Sequence, residues 1–339
     1  MGYSDFEFDV IVVGAGVMGS CTAYQLAKRG QKTLLLEQFD FLHHRGSSHG
    51  ESRTIRATYP EDYYFGLVDE SYRLWEQAQS EIGFKVYFKA QQFDMGPSDT
   101  KSLLSVIATC RKNAIRYQVL DHREVAERFS GRINIPEDWI GVSCELGGII
   151  KPTKAVSMFQ MLAFKNGACL KDNIKVVSIN KDASEQRPIE NPTTNSTKRK
   201  KRKGPESKPA KPKRRKSFIR TAPPNREKSQ WVEQRFKGKV DSSKPVITQL
   251  SVYSMTPDED FEIDFLGGEF GKDVVIGGGF SGHGFKMSPA IGRILADLAL
   301  IGKAKGVELK QFRIARFEEN PRGNIKEYED QVGLLKSTL

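Results

Sequence analysis

Three glycines and one acid near the start of the chain have the types and spacing needed to hold a dinucleotide. Gly14, Gly16 and Gly19 follow a run of β-branched residues, and Glu37 follows them by about 20 residues. The first glycine allows a tight turn, the second lets a pyrophosphate approach the backbone, and the third lets a helix pack on the strand. Glu37 is placed to accept a bond from a ribose hydroxyl and to repel a 2′-phosphate. The pattern favours an adenine dinucleotide over a purely structural glycine turn.

A second glycine cluster, GGGFSGHGFK at 277–286, also lies between an apolar stretch and a predicted helix. Its backbone N–H groups and the helix N-terminus could stabilise negative charge on the N1 to C2 oxygen edge of a reduced flavin ring. The two clusters together indicate a flavin dinucleotide. The alternative is a glycine loop that serves only tight packing.

A long polar loop at 38–56 follows the second predicted strand. Ligands of parallel sheets commonly bind at loops that follow the carboxyl ends of the strands. From the residues alone, Arg53 and Arg56 fit ordinary loop cations. His49 and His283 lie in glycine-rich loops and fit either a ligand contact or a structural hydrogen bond.

The elements around these residues alternate in a way that predicts an α/β fold. Strands at 10–13 and 33–36 flank a helix that begins at Val17 and ends at Gly30, which makes one complete βαβ unit. The remaining periodic segments follow in chain order: helix 70–81, strand 86–95, helix 100–113, helix 153–166, strand 168–179, strands 252–255, 261–265 and 273–276, and helix 290–301.

The positive charge of the chain is confined to one segment. The net charge is +11, and Lys198–Lys216 alone contains twelve Lys or Arg and one acid. The rest of the chain is therefore neutral, and the basic segment could be a solvated linker, a nuclear import signal or a salt-sensitive nucleic-acid contact. Because it lacks interleaved aromatic residues, we expect a linker and no nucleic-acid partner. The whole stretch 183–245 has almost no apolar periodicity, which predicts disorder.

Several classes of protein are not expected from the composition. The four cysteines show no metal-ligand spacing, so we expect reduced thiols and no metal site. No apolar run reaches the 18 or so residues of a membrane span, and the first residues do not resemble a secretory signal.

Four segments taken in order resemble the FAD-dependent amine oxidases typified by monomeric sarcosine oxidase, including plant enzymes that act on sarcosine and pipecolate. They are FDVIVVGAGVMGSCTAYQLAKRG, GSSHGESRTIR, YSMTPDEDFEIDF and GGGFSGHGFKMSPAIG. The resemblance covers 6–182 and 246–325. It implies that a secondary amino acid transfers hydride to FAD, that dioxygen reoxidises the flavin to give hydrogen peroxide, and that the imine hydrolyses.

The resemblance also implies the site residues. Arg56 and Lys286 would bind the substrate carboxylate as a bidentate guanidinium and a point charge, with Arg53 beside them in the catalytic group. Val176 would hold the adenine edge through its backbone. The full set of implied FAD contacts is Gly14, Gly16, Gly19, Glu37, Ser47, Ser48, His49, Ser52, Arg53, Val176, Ser251, Gly282, His283 and Gly284.

Two departures from the family pattern qualify this expectation. Ser251 occupies the position of the cysteine that carries the flavin covalently, and since a serine cannot form the thioether, we expect noncovalent FAD. In addition, the family has a much longer stretch where this chain has its basic segment. That stretch supplies most of the substrate-domain sheet, a flavin-domain strand, and the lysine and histidine that face the flavin. We therefore expect impaired turnover; the alternatives are a noncatalytic misjoined product and a nicotinamide-dependent dehydrogenase.

The predicted fold is a doubly wound, Rossmann-like FAD domain of the glutathione-reductase type with a truncated α+β substrate domain. The FAD domain combines 6–182 and 246–325. Within the first of these segments, residues from about 85 to 147 form the start of the substrate domain. The linker is 183–245 and the tail is 326–339. The family implies a monomer and a peroxisomal location. However, the terminal Ser337-Thr338-Leu339 lacks the basic residue of a peroxisomal address, so a cytoplasmic or nuclear location is an alternative.

Overall fold

A computed structural model describes residues 7–181, 226–236, 238–243 and 252–326. The strands are β1 Val10–Val13, β2 Thr33–Leu36, β3 Arg53–Arg56, β4 Tyr87–Pro97, β5 Tyr117–Leu120, β6 Trp139–Ile150, β7 Cys169–Lys171, β8 Glu262–Phe265 and β9 Val275–Gly278. The α-helices are α1 Val17–Lys28, α2 Phe65–Ile82, α3 Lys101–Lys112, α4 His122–Arg128, α5 Pro152–Lys165, α6 Arg226–Phe236, α7 Ser288–Ile301 and α8 Arg316–Glu319.

The first sheet is parallel and carries the glycine turn. Its strand order is β1–β2–β7, so the two strands predicted at the N-terminus pair as expected and the later strand returns beside them. The predicted strand at 168–179 is too long, because only Cys169–Lys171 pairs with β2. Parallel strands need a covering layer, and α1 packs against α5 and α7 to provide it.

The second sheet is antiparallel and mixes predicted and unpredicted strands. Its long central strand β6 pairs with β3, β4 and β5. The sequence analysis places Arg53–Arg56 in a loop, but these residues pair with Ile150 to Gly147 of β6. This pairing holds the end of the polar loop against the sheet. The domain boundaries proposed from the sequence stay a prediction.

The C-terminal segment joins the core formed by the N-terminal half. A hairpin of β8 and β9 precedes α7, whose apolar face packs on α1. The fully buried Phe261 and Phe312 stack with ring centroids 5.7 Å apart and lie beside Tyr64 from the N-terminal half. The two segments predicted to form the FAD domain therefore share one hydrophobic core.

Buried charges also tie these halves together. Arg316 donates from Nε and Nη2 to the carboxylate of Asp258, which is fully buried together with the neighbouring Asp260. Asp260 accepts from the hydroxyls of Tyr63 and Tyr64 at 2.8 and 2.6 Å. Hydrogen bonds from Arg316 lower the pKa of Asp258 despite the opposing effect of burial.

Two expectations about the connecting region are wrong. Val252–Met255 forms no strand in the described structure, and these side chains, Ser254 aside, are more than half exposed. Within the stretch expected to be disordered, 226–236 forms helix α6. Its Arg235 guanidinium lies 4.8 Å from the ring centre of Trp139, and its carbonyl accepts from the N–H of Asn134 at 2.9 Å. These contacts supply the packing that the helix lacks in its own sequence. In the rest of 183–245, residues 238–243 are also described, whereas the basic segment Lys198–Lys216 lies outside the described residues. None of the described helices is long and apolar enough to cross a membrane.

Candidate active site

The turn between β1 and α1 forms a backbone cradle. Gly14 has φ +100°, a conformation that favours glycine, and a Cβ on Gly19 would lie 1.8 Å from the carbonyl oxygen of Gly14. A Cβ on Gly16 would lie 3.0 Å from Ser48 Oγ. The N–H of Val17 donates to that same hydroxyl at 3.0 Å, so the polar loop reaches the helix N-terminus. The first turn of α1 carries no acid, which leaves its positive end suited to phosphate.

Glu37 lies at the end of β2 and faces the glycine turn. Its Oε2 accepts from the N–H of Ala15 at 2.9 Å, and its Oε1 accepts from the N–H of Phe39 at 3.2 Å. His43 Nε2 lies 3.2 Å from the same Oε1. The carboxylate is therefore fixed in place beside the cradle, as a ribose acceptor has to be.

A cavity of about 420 Å³ opens beside this cradle. Its lining combines the glycine turn, Glu37, the polar loop through Ser47 and Ser48, and Val176 with its two preceding residues. A cavity of this size is within the range that holds a cofactor. The structure thus brings together the predicted adenine-side residues, including Val176, which is remote from the others in sequence.

The polar loop is held by Arg53 on β3. The guanidinium donates to the carbonyl oxygens of Ser47 and His49 at 3.0 and 2.7 Å, and to that of Ser52 at 2.8 Å. Ser47 Oγ in turn donates to the carbonyl oxygen of Val252. Arg53 therefore shapes the loop through backbone contacts, whereas the Ser52 residue itself is exposed.

His49 is the strongest local sign that a ligand belongs here. Its ring is 5 % exposed, and neither ring nitrogen has a hydrogen-bond partner among the described residues. Burial, assisted by His44 and Arg53, lowers the pKa of His49 against an opposing interaction with the Gly46 backbone, and a neutral ring offers one donor and one acceptor. An FAD ring system has both kinds of group, so the residues present fit the cofactor.

The second glycine cluster places His283 and Lys286 against the segment that follows β3. Lys286 Nζ donates to Tyr59 Oη and to the carbonyl oxygen of His283, each at 2.9 Å. Lys286 is 7 % exposed, and burial with the nearby charge of Arg56 lowers its pKa to about 7. Burial likewise lowers the pKa of His283 to about 4.

Arg56 and Lys286 both contact Tyr59, Arg56 near the ring and Lys286 at the hydroxyl. The guanidinium carbon of Arg56 lies 4.7 Å from the ring centre of Tyr59, and Lys286 Nζ lies 5.4 Å from it. Arg56 Nη1 also donates to the carbonyl oxygen of Thr58. The two predicted carboxylate-binding cations, 230 positions apart in the sequence, are therefore neighbours in the fold.

The comparisons with known proteins agree with this geometry. The model of the FAD dependent oxidoreductase family matches residues 9–203, which is more than half of the chain. The chain belongs to this family. The predictions of FAD as the cofactor and of an FAD-dependent amine oxidase are thereby confirmed, and neither a nicotinamide dehydrogenase nor a noncatalytic product is favoured.

Named relatives and solved structures support the same family. The chain is 53 % identical to a probable sarcosine oxidase of Arabidopsis thaliana, with 98 % of each chain covered. It is 29 % identical to the peroxisomal sarcosine oxidase of Homo sapiens, with 91 % of this chain and 96 % of that protein covered. Among solved structures, NikD, an amino acid oxidase of nikkomycin biosynthesis, has a TM-score of 0.68 at 22 % identity and covers 90 % of this chain and 97 % of its own. This similarity confirms the predicted FAD-binding α/β fold.

The alignment to the Arabidopsis relative is longer than the chain itself. It runs over 408 positions, 69 more than the 339 residues of this chain. At least 69 positions of that alignment therefore have no counterpart here, although 98 % of each chain is covered. This agrees with a chain that lacks an internal stretch of the family sequence.

Sequence reasoning missed two residues of the site. The Tyr59 hydroxyl makes hydrogen bonds to both Lys286 and His283. The one feature of the sequence that could have indicated it is its position three residues after Arg56. His43 contacts the Glu37 carboxylate, and nothing in the sequence distinguishes it from His44. Ser251, the predicted flavin-side serine, lies outside the described residues. No group of three metal-ligating side chains occurs in the described ranges.

Proposed function

We propose that the protein oxidises a small secondary amino acid, such as sarcosine or pipecolate, with dioxygen to the imine and hydrogen peroxide. The observation that carries the proposal is the pair of cations that contact Tyr59. In the described part of the chain, Arg56 and Lys286 form no ion pair with a carboxylate. A buried cation without a counterion is costly, so the pair is suited to an anionic ligand.

The chain's own residues would bind and orient the substrate. The Arg56 guanidinium can accept a carboxylate in bidentate geometry, and Lys286 adds a second point of attachment. Two attachments restrict the rotation of a small amino acid and direct its amine-bearing carbon toward the flavin. FAD, when bound, supplies the chemistry by accepting hydride from that carbon and by reacting with dioxygen.

The cofactor would be held by the cradle already described. The glycine turn and the N-terminus of α1 would bind the pyrophosphate, Glu37 the ribose, and Val176 the adenine edge. Ser47, Ser48, His49, Ser52, Arg53 and Gly282–Gly284 would line the ring-binding part, with Ser251 nearby and no thioether. We propose that FAD is bound noncovalently for this reason.

Turnover would be reduced relative to a full-length relative. The internal stretch absent from this chain includes, by family resemblance, a flavin-facing lysine that activates oxygen. Loss of one such electrostatic donor typically costs about 10²- to 10³-fold in rate. An incompletely closed site would also admit water and loosen substrate orientation, so the two effects compound.

Peroxide release with sarcosine and with pipecolate tests this proposal. Arg56→Ala removes the guanidinium and is expected to lower kcat/KM by about 10- to 100-fold, the value of about 1.5 to 3 kcal/mol for hydrogen bonds to a charged group. Arg73→Ala is the matched control, since Arg73 is an exposed arginine of α2 paired with Asp69. Equal activity of Arg56→Ala and Arg73→Ala would contradict the carboxylate assignment.

The cellular setting is a separate part of the proposal. Human and mouse relatives are named peroxisomal sarcosine oxidases, which supports a peroxisomal location and fits the formation of peroxide. We expect a monomer that needs no metal. A fluorescent fusion of the full chain tests the location: nuclear signal that moves to the cytosol when Lys198–Lys203 are neutralised would instead show that the basic segment is an import signal.

A further inference from the structure

The Lys286 amino group stands at one end of a directed chain of hydrogen bonds. His283 Nε2 lies 2.9 Å from the carbonyl oxygen of Glu259, and since a carbonyl only accepts, Nε2 carries the ring hydrogen. The ring is neutral because burial lowers its pKa to about 4, so Nδ1 is an acceptor. Tyr59 Oη, 3.2 Å from Nδ1, therefore donates to it. This leaves the Tyr59 oxygen free to accept from Lys286 Nζ at 2.9 Å.

These hydrogen bonds leave one N–H of the Lys286 ammonium for a ligand. An ammonium has three N–H groups. Among the described residues, one donates to Tyr59 and another to the carbonyl oxygen of His283. The third has no acceptor in that part of the chain, and the Arg56 guanidinium lies near the same Tyr59 ring.

We propose that Tyr59 is a positioning residue of the carboxylate site: its hydroxyl, oriented by His283, fixes Lys286 so that the remaining N–H points to the anion bound by Arg56. The inference rests on the proposed function of Arg56 and Lys286. Tyr59 contacts neither the cofactor nor the reacting atoms in this role. It acts through Lys286, and its removal therefore changes how Lys286 titrates.

The surroundings of Lys286 determine the direction of that change. The charged and titratable groups nearby are Arg56 on β3, Tyr59 and Tyr64 from the following segment, and His283, with Asp260 and Lys326 acting on His283. Burial and Arg56 lower the Lys286 pKa to about 7, whereas the Tyr59 oxygen stabilises the ammonium as an acceptor. A bound carboxylate would raise this pKa, so binding above pH 7 takes up a proton. Loss of the Tyr59 acceptor would lower the pKa further.

Acetate binding to the FAD-loaded protein tests the inference, with flavin absorbance as the readout across pH. In the parent protein, affinity is expected to fall about tenfold for each pH unit above the Lys286 transition, because one proton is taken up. Tyr59→Phe is expected to move the midpoint to lower pH and to weaken binding at pH 7 by about 3- to 10-fold, the value of one hydrogen bond. The phenylalanine retains the ring that the Arg56 guanidinium contacts.

Tyr24→Phe is a closely matched control. The Tyr24 hydroxyl also accepts from a lysine, Lys28, at 2.7 Å and donates to an acceptor, Glu81, at 2.6 Å, but at the far end of α1. Its pH profile of acetate binding is expected to match that of the parent. A shift of the same size in Tyr24→Phe would mean that Tyr59→Phe acts only through general stability.

The outcomes separate this inference from the proposed function. A parent protein that fails to bind acetate, or an Arg56→Ala variant that binds it equally well, would overturn both. Binding that depends on Arg56 but keeps the same midpoint in Tyr59→Phe would overturn the role of Tyr59 alone. If Tyr59→Phe cannot retain FAD, the pH dependence of the unfolding free energy of its apoprotein reports the Lys286 transition instead, and a transition at the same pH as in the parent would also overturn it.

Discussion

Replacement of Lys286 by methionine should stabilise the apoprotein at neutral pH. The same substitution should abolish substrate binding. Burial and the charge of Arg56 hold the Lys286 pKa at about 7, against 10.5 for an ordinary lysine. At about 1.4 kcal/mol for each pKa unit, the buried ammonium costs about 5 kcal/mol of folding free energy. Methionine has a similar length and carries no charge, so Lys286→Met removes that cost.

The gain is smaller than this limit because two acceptors lose their donor. Tyr59 Oη and the carbonyl oxygen of His283 each accept from Lys286, and leaving such groups unpaired costs about 1 to 3 kcal/mol. That cost applies to each of the two acceptors, so we expect Lys286→Met to be more stable than the parent by at most about 3 kcal/mol below pH 7.

The pH dependence distinguishes this explanation from a simple packing effect. Between pH 7 and 10.5 the unfolded chain binds one more proton at Lys286 than the folded chain, so the stability of the parent rises with pH across this window. The advantage of Lys286→Met is therefore largest below pH 7 and disappears toward pH 10.5, where the lost hydrogen bonds leave the variant less stable.

Urea unfolding followed by tryptophan fluorescence measures this, because Trp75 Nε1 donates to the carbonyl oxygen of Lys286. Lys28→Met is the control. Hydrogen bonds to Glu81 and Tyr24 raise the Lys28 pKa against the effect of burial, so this variant should lose stability at pH 7 rather than gain it. A Lys286→Met variant that is destabilised equally at pH 7 and at pH 10.5 would refute the buried-ammonium argument.

Three further predictions concern the cofactor cradle and the core. Gly19→Ala would place a Cβ 1.8 Å from the Gly14 carbonyl oxygen, so it should abolish FAD retention on gel filtration, whereas Gly66→Ala, where nothing lies within 4 Å, should retain FAD. Asp258→Ala strands the buried Arg316 and should lower the free energy of urea unfolding by about 3 to 5 kcal/mol, whereas the exposed Asp69→Ala should change it by less than about 1 kcal/mol. Acid precipitation should release all bound flavin because Ser251 lacks a sulfur, and colour that stays in the pellet would contradict the alignment there.

The parts of the fold that local pattern determines could be predicted from the sequence. The sequence predicts both ends of the strand at 10–13, because a β-branched run followed by glycine has few alternatives. It also predicts both ends of the strand at 33–36, a short apolar run between the glycine that ends the helix and Glu37. The family resemblance places Arg56 and Lys286 in one site, and in the structure both contact Tyr59. No pairwise pattern in the sequence would have done so.

The errors occurred where tertiary contacts decide the structure. Arg53–Arg56 is too polar to be recognised as a strand, and it becomes one by pairing with β6. The sequence of helix α6 is too polar to provide an apolar face for burial, and the helix is held by the contact of Arg235 with Trp139. Tyr59 was missed because its role depends on two residues that lie more than 220 positions further along the chain.

Anaerobic addition of sarcosine or pipecolate to the FAD-reconstituted protein tests the central claim most directly. The account predicts a yellow protein whose oxidised-flavin absorbance bleaches slowly with substrate, returns when air is admitted, and bleaches at least tenfold more slowly in Arg56→Ala than in Arg73→Ala. A protein that cannot be loaded with FAD, or one whose absorbance bleaches at the same rate in both variants, would contradict it.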